Sequence, residues 1–253
     1  MNSIERRKNI LDFALREKSV FVDKLAEKLG VSTVTIRSDL KFLDHKNLLV
    51  RTHGGAVLSD PLSRELSLDE KSVRKNSVKK KIAERVKELI FEGDTIILDS
   101  GTTTAEVALL LRHYNQLTVM TNGLNVAQNL LGAKGVEIHM TGGKLRQKTL
   151  SFYGRSAEEQ LSLFHFNKVV LGVDGFDINT GVTTHFEHEA SLNRAMCANA
   201  DKVIVATDSS KFERSSFYKI IDKEDIDVLV TDTGISDKVA QKLEDAGIML
   251  VIA

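Results

Sequence analysis

The chain has 253 residues, 42 % of them hydrophobic and 28 % charged, which suffices to bury the core of one large domain or two and excludes the disordered and collagen-like classes. One cysteine, Cys197, allows neither an internal disulfide nor a thiolate metal cluster, and neither a metal site nor a cofactor is expected. No apolar run approaches the ~20 residues of a membrane span and no signal-peptide core follows the N-terminus, so a cytoplasmic protein with no membrane partner is expected. Net charge is zero, yet residues 1–58 hold 11 Lys+Arg against 7 Asp+Glu, an asymmetry that points the N-terminus at a polyanion.

From Ser3, Ile10, Leu11, Ala14 and Leu15 recur at helical spacing through Lys18. A second helix over Val22–Leu29 ends at Gly30, which allows a left-handed cap, and Ser32 can cap a third helix from Thr33 to about His45. This is helix-turn-helix spacing. Ile36, Leu40 and Leu43 form the inward stripe of the third helix, leaving Thr33, Thr35, Arg37, Ser38 and Lys41 outward, a short, polar and basic set suited to base edges and phosphates. Asp39 is the exception and is read as bracing a neighbouring arginine or a helix end. Two short strands about Gly54-Gly55, within Leu48–Val57, predict a wing whose Arg51 and His53 reach phosphate or minor groove.

Val31-Ser32-Thr33-Val34-Thr35-Ile36-Arg37-Ser38-Asp39-Leu40 and Arg51-Thr52-His53-Gly54-Gly55-Ala56 resemble the signature of the DeoR/GlpR family of bacterial sugar-operon repressors. The family commonly carries two arginines before the Asp-Leu pair, where this chain has Arg37-Ser38. The resemblance implies that Ser32, Thr33, Thr35, Arg37, Ser38, Lys41, Arg51, His53 and Gly54 form a face for double-stranded operator DNA. Two half-sites are usually read by a symmetric oligomer, so a homo-oligomer, dimer or tetramer, is expected.

Pro61, the only proline, lies in a polar stretch where the domain boundary is expected. The predicted organisation is a DNA-binding domain over 1–58, a linker over 59–80 and an effector-binding and oligomerisation domain over 81–253. The basic run Lys71–Lys81 reads as a solvated helix start more readily than as a second DNA contact. Seven apolar runs, at 95–99, 117–121, 136–141, 168–174, 202–207, 227–231 and 248–252, then alternate with helical ones, the pattern of a largely parallel sheet covered by helices.

Ligands of such sheets gather beyond the C-terminal strand ends. There lie Asp99-Ser100-Gly101-Thr102-Thr103-Thr104, Thr121-Asn122-Gly123, Thr141-Gly142-Gly143-Lys144, Asp174-Gly175 and Asp208-Ser209-Ser210-Lys211. The first reads as a strand, a tight loop and a helix start, with N–H groups and hydroxyls for an anion and Asp99 orienting the loop or taking a sugar hydroxyl. Five loops on one rim, with Lys211 and Lys144 for charge, favour a phosphorylated polyol.

These residues are similar to the family's sensor domain, itself related in fold to ribose-5-phosphate isomerase. The resemblance implies that Ser100–Thr104 and Lys211 hold phosphate while Asp174 and Glu187 meet sugar hydroxyls. Thr141–Arg146 and Ser151–Gly154 look closest to the branch controlling N-acetylgalactosamine and galactosamine use. The expected whole is an N-terminal winged helix-turn-helix domain followed by a mostly parallel α/β, sugar-phosphate-isomerase-like sensor. Its expected function is that of a non-enzymatic transcriptional regulator governed by a phosphorylated sugar. The alternative is an isomerase-like enzyme with an appended DNA-binding module, in which Glu187 or Glu189 with Asp174 supplies the acid-base chemistry. His185 and His188 are read as solvent-facing or hydrogen-bonded rather than as metal ligands.

Overall fold

The computed structural model describes residues 3–17, 19–45, 48–52, 54–58, 66–73 and 75–253. They divide into two compact units, the second starting at Leu66.

The first unit runs α1 (Ser3–Glu17), β1 (Ser19–Phe21), α2 (Val22–Leu29), α3 (Thr33–His45), β2 (Leu49–Thr52) and β3 (Gly55–Leu58). Gly30 takes φ 64 and its N–H caps the carbonyls of Ala26 and Glu27, so the chain reverses into α3. The apolar faces of the three helices meet over Ile10, Leu25, Ile36, Leu40 and Leu43. The wing is a three-stranded sheet rather than a hairpin, because β1 pairs antiparallel with β3. This approach is why Gly55 has no side chain: a Cβ there would stand 2.1 Å from the Val20 carbonyl oxygen. Three residues are too few to show a strand's periodicity in the sequence, and β1 is missed there.

The second unit opens with α4 (Leu68–Val73) and α5 (Asn76–Lys87), so helix occupies most of the described part of the stretch read as linker. Ser67 and Glu70 close a capping box, in which Glu70 Oε2 accepts from the Ser67 N–H at 2.8 Å and Ser67 Oγ from the Glu70 N–H at 3.3 Å. Next come β4 (Thr95–Leu98), α6 (Thr102–Leu111), β5 (Leu117–Thr121), α7 (Leu124–Leu130), β6 (Val136–Met140), a β7–β8 hairpin (Lys144–Arg146, Ser151–Tyr153) and α8 (Arg155–Leu161). The chain continues through β9 (Phe166–Leu171), β10 (Gly175–Asp177), β11 (Gly181–Thr184), α9 (Glu187–Ala198), β12 (Ala200–Ala206) and β13 (Tyr218–Ile221). It ends with β14 (Val228–Thr231), α10 (Asp237–Asp245) and β15 (Met249–Ile252).

Seven of these strands form one sheet, ordered β15-β14-β12-β9-β4-β5-β6, and every pairing in it is parallel. Side chains alternate between faces, so Ile96 and Leu98 pack with Ile82, Val107 and Leu111 while Ile97 joins Leu161, Met196 and Leu243. Apolar residues are needed on both faces, which is why the strands read as continuous runs. A second sheet, β10-β11-β13, is antiparallel.

Candidate functional site

In the first unit α3 keeps Ile36, Leu40 and Leu43 inward and leaves Arg37, Ser38 and Lys41 exposed. Thr33 and Thr35 are half-buried instead of outward, and Thr35 is engaged in the cap: its N–H donates to Ser32 Oγ at 3.2 Å and the two hydroxyls lie 2.9 Å apart. Asp39 is buried and takes Arg6 Nε at 2.5 Å and Arg7 Nε at 2.7 Å, tying α1 to α3. Burial alone would raise its carboxyl, but the two guanidinium groups outweigh this and hold it below the usual carboxylate range. On the wing, Arg51 and Gly54 are exposed, and the Arg51 N–H donates to Asp44 Oδ1 at 3.3 Å. His53 lies outside the described residues. Arg37 and Lys41 lie on one exposed strip of α3, and Arg51 of the wing is exposed in the same unit, charges suited to a phosphate backbone.

In the second unit strand order reverses at β4. The chain builds outward through β5 and β6, then returns to the other side of β4 as β9. Such a switch point leaves a crevice beyond the strand ends, and the loops after β4 and β9 border it. The loop after β4 is fixed from the next loop: the Ser100 N–H donates to Asn122 Oδ1 at 2.7 Å, and Asn125 Nδ2 donates to the Gly101 carbonyl at 2.8 Å. Asn122 therefore braces the loop with one of its polar atoms. Thr102 opens α6, half-buried; Thr103 and Thr104 are buried. Gly142 and Gly143, at φ 65 and 100, turn the chain into the β7–β8 hairpin, and a Cβ on Gly143 would meet the Tyr153 carbonyl oxygen at 2.6 Å.

Asp99 is completely buried, and burial followed by the charge of Glu189 raises its carboxyl well above the usual range. Asp99 Oδ2, Thr104 Oγ1 and both side-chain polar atoms of Asn193 are buried without a hydrogen-bond partner among the described residues. Asp174 is the opposite case. Burial would raise it, but Lys71 and Lys211 dominate and hold it far below the carboxylate range.

The lysines of the 71–81 run are not all solvated. Lys71 Nζ donates to Asp174 Oδ1 at 2.7 Å, Lys75 Nζ to Asp208 Oδ1 at 2.8 Å, and Lys79, only 6 % exposed, donates to the Lys71 carbonyl. Lys80 and Lys81 do face solvent. Lys211 joins the group: burial pushes its ammonium down, with Asp174 opposing and Lys71 adding to the shift. Lys71, Lys75, Lys79 and Lys211 thus gather around Asp174 and Asp208, with Lys79 buried, Lys71 and Lys211 half-buried and Lys75 exposed.

The signature described as DeoR-like helix-turn-helix domain matches residues 6–61, and that of the DeoR C-terminal sensor domain matches residues 74–233. The chain belongs to the DeoR family. It is a DNA-binding transcriptional regulator with an N-terminal helix-turn-helix domain and a C-terminal sensor domain. It is 47 % identical over 250 residues to an aga operon transcriptional repressor of Escherichia coli O157:H7, covering 98 % of this chain and 93 % of that one. It is 32 % identical to the glycerol-3-phosphate regulon repressor of Escherichia coli K12, over 99 % of each, and 34 % identical to the repressor GlcR of Bacillus subtilis, over 98 % and 95 %. Among solved structures, ribose 5-phosphate isomerase A of Methanocaldococcus jannaschii aligns with 54 % of each chain at 15 % identity and a TM-score of 0.40. No helix among the described residues is long and apolar enough to cross a membrane.

Within the sensor domain the acid on α9 that turns toward Asp99 is Glu189, not Glu187. Glu187 is exposed, whereas Glu189 is half-buried, acts electrostatically on Asp99 and lies 3.8 Å from Arg146 Nη1. Two residues along a helix is a rotation of about 200°, so adjacent acids in the Glu187-His188-Glu189 motif face apart. Lys144 is exposed, whereas Arg146 is half-buried and its guanidinium lies 4.0 Å over the Phe186 ring. Tyr153 stacks on His188 and meets Phe186 edge-on, so the hairpin and the start of α9 form an aromatic flank. His185 Nε2 lies 3.4 Å from Ser216 Oγ. The Ser67–Glu70 capping-box pattern could have located α4 from the sequence.

Proposed function

We propose that the sensor domain binds a phosphorylated sugar beyond the ends of β4, β5, β9 and β12, and that binding alters the affinity of the helix-turn-helix domain for operator DNA. The observation that carries this reading is the charge of the cluster: Lys71, Lys75, Lys79 and Lys211 gather on two carboxylates, Asp174 and Asp208. A phosphate dianion suits a cluster in which four lysines meet two aspartates, and the N–H groups of Ser100–Thr104 at the N-terminus of α6 add uncharged donors. Asn122, Gly142 and Gly143 shape the rim, and Asp99, Asp174 and Glu189 accept from or donate to sugar hydroxyls.

In this reading Lys71 and Lys75 exchange aspartate for phosphate when the ligand arrives. α4, which carries Lys71, is the first helix after residues 59–65, so the exchange acts on the segment that follows the DNA-binding domain in the chain. Ligand and operator then affect each other through their different affinities for the two states. The likeness to an aga operon repressor supports an amino-sugar operon as the target. The protein works in the cytoplasm as a homo-oligomer, at least a dimer, reading paired half-sites.

The test is a thermal-shift screen of hexose, hexosamine and pentose phosphates on the full chain, followed by operator titration with each hit. A ligand of the native state alone raises its melting temperature by mass action. Sugar phosphates that leave both melting and DNA affinity unchanged refute the reading. The raised carboxyl of buried Asp99, with the charge of Glu189 acting on it, also supports a second reading, residual isomerase chemistry, since two acids in different environments can divide acid and base roles. Turnover of a sugar phosphate by purified protein, abolished in Glu189→Gln, would establish it.

A further inference from the structure

Val34 is 71 % exposed, the largest exposure of any α3 hydrophobic residue, in a helix that otherwise sends Ile36, Leu40 and Leu43 into the core. Its place in the helix is informative. Val34, Arg37, Ser38 and Lys41 follow one another at i, i+3, i+4 and i+7, and all four are exposed, so they form a single strip along α3. The strip is polar and basic except at its N-terminal end. That end is fixed, because Ser32 Oγ accepts the Thr35 N–H and sets the first turn.

The second helix of a helix-turn-helix enters the major groove with its N-terminal residues against the base edges. A valine there can neither donate nor accept. Of the groups that the four bases present in this groove, only the thymine C5-methyl is apolar. The charged members of the strip set the helix against the phosphates, which brings the first turn to the floor of the groove.

We propose that Val34 is a specificity residue of the DNA-reading surface, packing its methyl groups on the C5-methyl of one thymine in each half-site. Cytosine at that position removes the methyl and faces an amino donor toward a side chain that cannot accept it. Uracil removes the methyl alone. The proposal rests on the helix-turn-helix reading and adds to it the chemistry of one base position.

The test starts by selecting binding sequences from a randomised duplex pool with the full-length protein, then replacing each thymine of the selected duplex by deoxyuridine. One uracil in a single half-site should weaken binding of the wild type roughly fourfold, the change that burying one methyl group is worth, and one in each of two half-sites roughly fifteenfold. Val34→Ala, with less apolar surface to offer, should narrow the difference between the thymine and uracil duplexes, while Val34→Ile keeps it. Val34 is exposed, so these variants keep the fold, which an unchanged melting curve checks. A selected duplex whose uracil forms bind like the thymine form, or a Val34→Ala protein that retains the wild-type preference, overturns the assignment to Val34 and leaves DNA binding standing. A pool from which no sequence is enriched overturns both. Loss of self-association rather than of thymine preference in Val34→Ala would make the residue a protein contact and refute the proposal.

Discussion

Lys71 and Asp174 stand 103 residues apart in the chain and 2.7 Å apart in the folded protein, joined by an ion pair in which the aspartate is almost wholly buried. The pair links the helix that follows the DNA-binding domain to the loop beyond β9. Its charge is the kind that an anionic ligand would draw away. Lys71→Met should therefore weaken binding of the sugar phosphate found by thermal shift, by about 1.5–3 kcal/mol if one charge-assisted hydrogen bond is lost. Operator affinity without ligand should stay within twofold of wild type. Calorimetric titration with the ligand and anisotropy with labelled operator separate the two, and an unaltered ligand affinity excludes Lys71 from the site.

The Lys79 ammonium is pushed down to about 8, by burial first, with Asp208 opposing and Lys211 and Lys71 adding to the effect. The native chain releases this proton near pH 8, while an unfolded lysine keeps it to about pH 10.4. Between these values the unfolded state binds more protons, so the Lys79 contribution to sensor-domain stability rises with pH through that window and is least favourable below it. Lys79→Met should flatten the rise, raise the ligand-free melting temperature near neutral pH and weaken the response to sugar phosphate. Melting curves from pH 7 to 10 check this, and an unchanged slope would count against it.

Asp39 holds Arg6 and Arg7 together at the base of α3, and its removal leaves two partly buried guanidinium groups unpaired. Asp39→Ala should cost the DNA-binding domain about 3 kcal/mol. The depressed carboxyl stabilises the fold above the ordinary aspartate pKa of about 3.9, and this contribution is lost as pH falls below it. Acid titration of helicity should thus show a smaller loss below pH 4 in the variant than in the wild type.

Arg37→Ala and Lys41→Ala should each weaken operator binding, by about 1–3 kcal/mol where a base contact is lost. Response to ligand, measured as the fractional change in affinity, should persist. Salt dependence sorts the two, since a lost phosphate contact lowers the slope of log K against log salt by about one. Unchanged titrations at fixed salt would remove α3 from the interface.

The parallel sheet was legible because strands buried on both faces, such as Ile96-Ile97-Leu98 and Val169-Val170-Leu171, have no polar positions to blur them. The helix-turn-helix was legible because Gly30 and Ser32 mark its turn in residues with strong backbone preferences. The lysine cluster was not. A charge run looks alike whether it faces water or a crevice, and the partners that distinguish the cases, Asp174 and Asp208, lie beyond the reach of local pattern. Choosing between Glu187 and Glu189 needs the phase of α9, which depends on where the helix starts and packs. Val34 shows the reverse difficulty: an apolar residue suggests the interior until its exposure is known.

The order of the lysine and aspartate cluster along the chain sets when that cluster is complete during synthesis. The core of the DNA-binding unit is complete once Ala56 has emerged, yet Lys71 and Asp99 wait for Asp174, and all of them wait for Asp208 and Lys211 on the far side of β12. A chain released early, by nonsense mutation or proteolysis anywhere between residues 66 and 207, carries a finished reader and an unfinished receptor. Such fragments also lack the region expected to oligomerise, so alleles of this kind should lose control of paired half-sites and not merely the response to ligand.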